Sequence, residues 1–142
     1  MAKNKWRIKE AVKIAEEAAL KALRTGAEKI LTEAIDEAPI DTGTLRRSGT
    51  VTVGKLPDSA RIYEAAESGN EMKDAFKENI GKEKAVYISF NTPYARRQHE
   101  ELGYQHPRGG KAKYLETPFN ANKKKVIKYA ERKIKEALRR EP

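Results

Sequence analysis

An α+β fold, with a small mostly antiparallel sheet packed against a long N-terminal helix and a basic C-terminal helix, is predicted by three observations. Apolar residues recur at three- and four-residue steps from Ile8 to Ile35, an alternating run fills 86–90, and a second helical stripe closes the chain among lysines and arginines. Helices at both ends with strands between them point to α+β rather than to a regular alternation of strands and helices. The 142 residues are read as one domain, 1–142, with a long helix over 1–38, a sheet region over 39–115 and a terminal helix over 116–140. Within the sheet region an inserted helix is expected at about 68–81.

Asn4 is the expected N-cap of the first helix, and Ile8, Val12, Ala15, Ala19, Ala22, Leu23, Ala27, Ile30, Leu31, Ala34 and Ile35 supply its stripe. Pro39 ends it, because the proline ring pushes Ala38 out of the α region. At 1.5 Å per residue the span is roughly 45–50 Å. A domain of this size does not need that length to cover its own core, so either Gly26 divides the helix or the surplus packs on a neighbouring subunit. The stripe is largely alanine, which allows close helix approach and contributes little burial.

In the segment Pro39-Ile40-Asp41-Thr42-Gly43-Thr44-Leu45-Arg46-Arg47-Ser48, Asp41 or Thr42 caps a short helical turn. Thr50 to Val53 then alternates as a half-buried strand, Leu56-Pro57-Asp58-Ser59 reads as a turn, and 60–65 is a second strand around Ile62. Ser68-Gly69-Asn70-Glu71 has capping-box spacing ahead of Met72, Ala75, Phe76 and Ile80, with Gly81 as the C-cap. The clearest strand is 86–90, with Val86, Ile88 and Phe90 facing one way. Asn91-Thr92-Pro93 breaks it, Tyr94 to Leu102 forms a short helix closed by Gly103, and an exposed loop follows over 104–110. From Thr117 the last helix carries Phe119, Val126, Ile127, Ala130, Ile134, Ala137 and Leu138 on its apolar side. Three or four strands cannot close a barrel, so open sheet edges are expected to pair between subunits.

Composition narrows the function. Hydrophobic residues are 38% of the chain and charged residues 36%, which leaves a lean core that partner subunits would complete. With no cysteine, disulfides and thiolate metal sites are excluded. No apolar run approaches the ~20 residues that span a bilayer, and no signal peptide is read, so no membrane partner is expected. The net charge of +9 is unevenly placed. Residues 107–142 hold 12 basic and 4 acidic groups, while 39–106 hold 10 of each. That quarter faces an acidic partner, faces nucleic acid, or is a solvated helix side.

Catalytic patterns are thin. His99-Glu100-Glu101 with His106 lacks His-Glu-x-x-His spacing, and Arg108-Gly109-Gly110-Lys111 lacks that of a phosphate-binding loop. Asp41, His99 and Ser48 name the members of a triad without a nucleophile elbow. No catalytic residue, metal or cofactor is expected. DNA binding is the stronger rival: basic residues would neutralise phosphates, and Tyr94, Tyr104 and Tyr114 would stack on bases. These aromatics precede the basic helix and do not interleave with it.

Three stretches are more specific. They are Ala38-Pro39-Ile40-Asp41-Thr42-Gly43-Thr44-Leu45-Arg46-Arg47-Ser48, then Phe90-Asn91-Thr92-Pro93-Tyr94-Ala95-Arg96-Arg97-Gln98 running on to Glu101-Leu102-Gly103, and Gly110-Lys111-Ala112-Lys113-Tyr114-Leu115. In this order, over about 30–138, they resemble the minor capsid and tail-completion proteins of siphophages and their prophages. Those proteins carry Pro-x-Asp/Arg-Thr-Gly-x-Leu-x-x-Ser after a long helix, then a strand leading into Thr-Pro-Tyr-Ala, a glycine-rich loop and a closing helix. The segment from about Glu67 to Lys84 departs from that pattern by its length.

The resemblance implies a structural virion subunit without catalysis, made in the host bacterial cytoplasm and placed at the head–tail junction. Its implied partners are five further copies in a ring of six, the neck connector proteins, the tail tube or terminator, and genomic DNA passing nearby without sequence-specific recognition. It assigns structural roles to Pro39, Asp41, Thr42, Gly43, Leu45, Ser48, Pro93, Tyr94, Ala95, Gly103, Tyr114 and Leu115. Gly43 turns the backbone, Leu45 anchors the turn, Pro93 sets the next helix, and Tyr94 buries its ring. Arg96, Arg97, Arg108, Lys111, Lys123, Lys124, Lys125, Lys128 and Arg132 are the interface or DNA-facing candidates. The rival reading is a small basic DNA-binding protein of a phage or mobile element.

Overall fold

The computed structural model describes residues 2–39, 43–70, 82–100 and 112–140. Helix α1 runs unbroken over Ala2–Glu37. Asn4 therefore lies within the first turn and is not its N-cap. Gly26 does not divide the helix either. It is buried where α5, Glu116–Arg140, crosses close by: a Cβ at Gly26 would stand 2.5 Å from Val126 Cγ1. The missing side chain is an approach site for the second helix, not a break in the first.

After Pro39, helix α2 spans Thr44–Arg47 behind Gly43, whose φ of 84° is in the left-handed region. Gly43 occupies the N-cap position and makes no side-chain cap bond; Asp41 and Thr42, the expected caps, lie outside the described residues. Strand β1, Gly49–Val53, pairs antiparallel with β2, Val86–Phe90, in a register running from Gly49 opposite Phe90 to Val53 opposite Val86. Among the described residues the sheet has these two strands.

Three sequence-based expectations fail here. The strand expected around Ile62 is helix α3, Ser59–Glu67. The Asp58 carboxylate caps it by accepting the Arg61 N–H at 3.3 Å, and Ile62 and Ala66, one turn apart, are fully buried. Ser68 and Gly69 close α3 instead of opening the next helix, with Gly69 at φ 87° as the reversing residue. The rest of the expected inserted helix, from residue 71, lies outside the described residues. Strand β1 is not half-buried: Thr50 is 0% and Thr52 4% exposed, so its polar side is covered as well. Their hydroxyls are satisfied, Thr50 with Ser89 at 3.0 Å and Thr52 by donation to the Lys55 carbonyl at 2.7 Å.

The layers are sheet, α1 and α5. Ala27, Leu31 and Val51 form a buried cluster that Ile35, Val86, Ile88 and Phe90 pack against, seating the sheet on one flank of α1. On another flank α5 runs antiparallel to α1, tied by an Asn122 amide that donates to Glu33 Oε2 at 2.7 Å. Helix α4, Ala95–Glu100, follows β2; Leu102, Gly103 and the 104–110 loop lie outside the described residues. The apolar stripes are only partly covered: Ile8, Val12, Phe119, Ile127 and Leu138 are exposed.

Candidate functional site

The three motif stretches meet at one corner of the molecule. Ala38, Leu45, Ala95 and Tyr114 form a buried cluster, with Phe90, Tyr94 and Leu115 packed against it. Tyr114 is its centre: 1% exposed, it donates its hydroxyl to the Ala95 carbonyl at 2.8 Å and meets the Phe90 and His99 rings edge-on, at 4.9 and 5.1 Å between centroids. Burial pushes the Tyr114 hydroxyl far above the usual phenol range, with the negative charge of Glu100 adding to the effect. It stays a neutral donor. Pro39 is buried beside this cluster in sequence, Pro93 is exposed, and Tyr94 is half-buried.

A polar hub backs the cluster. The Ser48 hydroxyl donates to the Leu45 carbonyl at 2.7 Å and accepts the Asn91 N–H at 3.1 Å. The Asn91 side-chain amide donates to the Ser48 carbonyl at 2.8 Å and lies 3.3 Å from Thr50 Oγ1, while its oxygen accepts from the Ser59 hydroxyl at 3.0 Å. One buried asparagine therefore joins the turn after α2, both strands and the start of α3. Asn91 was not among the expected site residues; its signal was a polar residue set immediately after an alternating strand.

Arg46 and Arg47 were missed too. The Arg46 guanidinium donates to the carbonyls of Ala38 and Asp36, both at 2.8 Å, and so closes the C-terminal end of α1. Arg47 donates to the Ala66 carbonyl at 2.8 Å and closes α3. Cations at helix C-termini satisfy orphan carbonyls and oppose the helix dipole. A basic pair shortly after a helix-ending proline is the sequence trace of that role.

Beside Tyr114 a charged corner links α4 to the start of α5. His99 Nδ1 lies 2.7 Å from Glu100 Oε1, and its Nε2 accepts the Glu116 N–H at 3.2 Å, which places the proton on Nδ1. The Lys113 ammonium pairs with Glu100 and lies 3.4 Å from Glu116 Oε2. The hydrogen bond from Lys113, then that from His99, holds the Glu100 carboxyl below its usual range, and Glu100 in turn raises Lys113. An open cavity of about 640 Å³ adjoins this corner, lined in part by Val86, Ile88, Leu115 and Phe119. Of the three triad residue types set aside in the sequence, Asp41 lies outside the described residues, and the Ser48 hydroxyl is buried and donates to the Leu45 carbonyl.

Lys123, Lys124, Lys125, Lys128 and Arg132 are all exposed along α5. That helix holds 9 basic and 3 acidic residues, a net charge of +6. Arg132 lies 5.4 Å over the Tyr129 ring and 4.0 Å from Glu136. Arg96 and Arg97 sit on α4, and Arg108, Lys111 and Gly103 fall outside the described residues. No described helix is long and apolar enough to cross a membrane.

Residues 3–117 match one protein-family model, HK97-gp10-like, described as "Bacteriophage HK97-gp10, putative tail-component". No curated protein and no solved structure matches the chain significantly.

Proposed function

The chain belongs to the HK97-gp10-like family of bacteriophage tail components, and from that premise we propose that it is a ring-forming subunit joining the phage head to the tail. The observation that carries the reading is the extent of the match. Residues 3–117 take in α1, the sheet and all three motif stretches, which the fold gathers into the Tyr114 cluster and the Asn91 hub. Motif residues committed to fixing helix and strand angles suit a protein that works by shape complementarity. No catalysis and no cofactor belong to this reading. The neighbours we propose are further copies of the chain in a ring of six, the neck connectors on the head side, and the tube or terminator on the tail side. Genomic DNA passes nearby without being read.

The exposed lysines of α5 sustain one rival, a small basic DNA-binding protein. Light scattering on the purified chain across a concentration series, with and without duplex DNA, separates the two. A hexameric mass, or a monomer indifferent to DNA at moderate salt, supports the assembly reading. A monomer or dimer binding duplex tightly, with steep salt dependence that disappears when Lys123, Lys124, Lys125, Lys128 and Arg132 are neutralised, overturns it.

A further inference from the structure

Helix α5 carries two apolar stripes, and α1 covers one. Val126 and Ala130 sit against α1, whereas Ile127 and Leu138 are 53% and 40% exposed, with half-buried Ile134 between them. On α1, Ile8 and Val12 are 63% and 51% exposed and lead into half-buried Ala19 and Leu23. At about 100° per residue these residues share one flank of each helix. Ile8 lies about five full turns from Gly26, which meets Val126, so Ile8 and Val12 carry the α5-facing side of α1 beyond the end of α5. Away from this face, on the other side of the helix pair, lies a groove lined by Thr25, Lys29, Asn122, Lys125, Val126 and Tyr129. Arg140, at the end of α5, lines a groove with Ala18, so the turns bearing Ile8 and Val12 extend past α5.

We propose that this two-helix face docks an amphipathic helix of a different protein, apolar along one side and rich in Asp and Glu along its margins. The inference rests on the assembly reading and specifies the chemistry of one partner. Length and chemistry fit a third helix: the apolar residues follow helical steps on both elements and would complete a three-helix layer. The rim selects charge. Lys9, Lys123, Lys124 and Lys135 border the face and are exposed, against the single exposed carboxylate of Glu131 on the α5 margin, while Glu16, at the sheet side, is held by Lys84 at 3.3 Å. A second copy seated by this same face is the poorer occupant, since its own Lys123, Lys124 and Lys135 would bring like charge to the rim. Nucleic acid is poorer too, because phosphates would neutralise the lysines and leave Ile8, Val12, Ile127 and Leu138 in water.

The test uses the full chain and a fluorescein-labelled synthetic helix with a leucine seam and glutamate flanks, read by anisotropy at physiological salt. A lysine-flanked helix is the charge control. The variant Ile127→Asn with Leu138→Asn removes the apolar contact and keeps the net charge; its melting, followed by circular dichroism, is expected to match the parent. The parent binds the glutamate-flanked helix and not the lysine-flanked one, and the double variant binds roughly ten-fold or more weakly. Failure of the parent to bind, or equal binding by the variant, overturns the proposal. So does displacement of the peptide by a short DNA duplex, or self-association that the variant abolishes. Light scattering on the same samples reads the ring separately, so a ring that forms while the peptide fails to bind sinks this inference and leaves the assembly reading intact.

Discussion

Asn91 shows how much one buried side chain can organise. It is 5% exposed and bonded to Ser48, Thr50 and Ser59, so its loss strands several buried polar groups at once. Asn91→Ala is expected to lower the unfolding free energy by about 1–3 kcal/mol in a denaturant titration, and a change near zero would mean the hub contributes nothing. The Glu100–Lys113 pair sets a different dependence. Glu100 is held below its ordinary 4.5, so its contribution is complete above that value and is lost as pH falls through the lowered one. Lys113 is held above its ordinary 10.5, so its contribution is complete below that value and is lost as pH rises through the raised one. Melting temperature followed against pH should step down at both extremes, and Lys113→Met should flatten both steps. Unchanged steps would show that other groups set them.

At the scale of elements, the contact between α1 and α5 turns on Gly26. Replacing it by alanine adds about 1 kcal/mol of helix propensity but drives a methyl into Val126, an overpacking cost of about 1–3 kcal/mol. Gly26→Ala is therefore expected to lower the melting temperature, and Val126→Ala in the same chain to restore part of it. A single variant more stable than the parent would show that the helices simply move apart. The elements legible in the sequence were those whose periodicity stood alone. The α1 and α5 stripes and the alternating Val86, Ile88 and Phe90 lie where the structure puts two helices and a strand. Helix α3 was misread because Ile62 and Tyr63 favour strands locally, and the Asp58 cap and the pocket that receives Ile62 are tertiary facts. The polar face of β1 was misread because Thr50 and Thr52 look solvent-facing until Ser89 and Lys55 supply their partners. The clustering of Leu45, Ala95 and Tyr114 was invisible to spacing for the same reason: the residues are far apart in the chain and meet only once α1 and the sheet are in place.

Across the whole molecule, protection should follow the layers. Backbone amides near Ile30 and Ala34, where α1 packs against both the sheet and α5, should exchange hydrogen only on global unfolding, while those near Ile8 and Val12 exchange early. Uniform protection along α1 would indicate that its first turns are covered in solution. Being the middle layer also fixes an order of events. The Asn122–Glu33 bond joins residues 89 apart, so α5 can dock only after a long loop closes, and such closures come late in folding. Until then the outer flank of α1 waits bare. Its alanines, among them Ala15, Ala18, Ala19 and Ala22, present little to adhere to, and the lysines of the incoming helix repel other half-folded chains. The small side chains that limit the stability of the finished contact therefore also shield the chain from misassociation while that contact is still unmade.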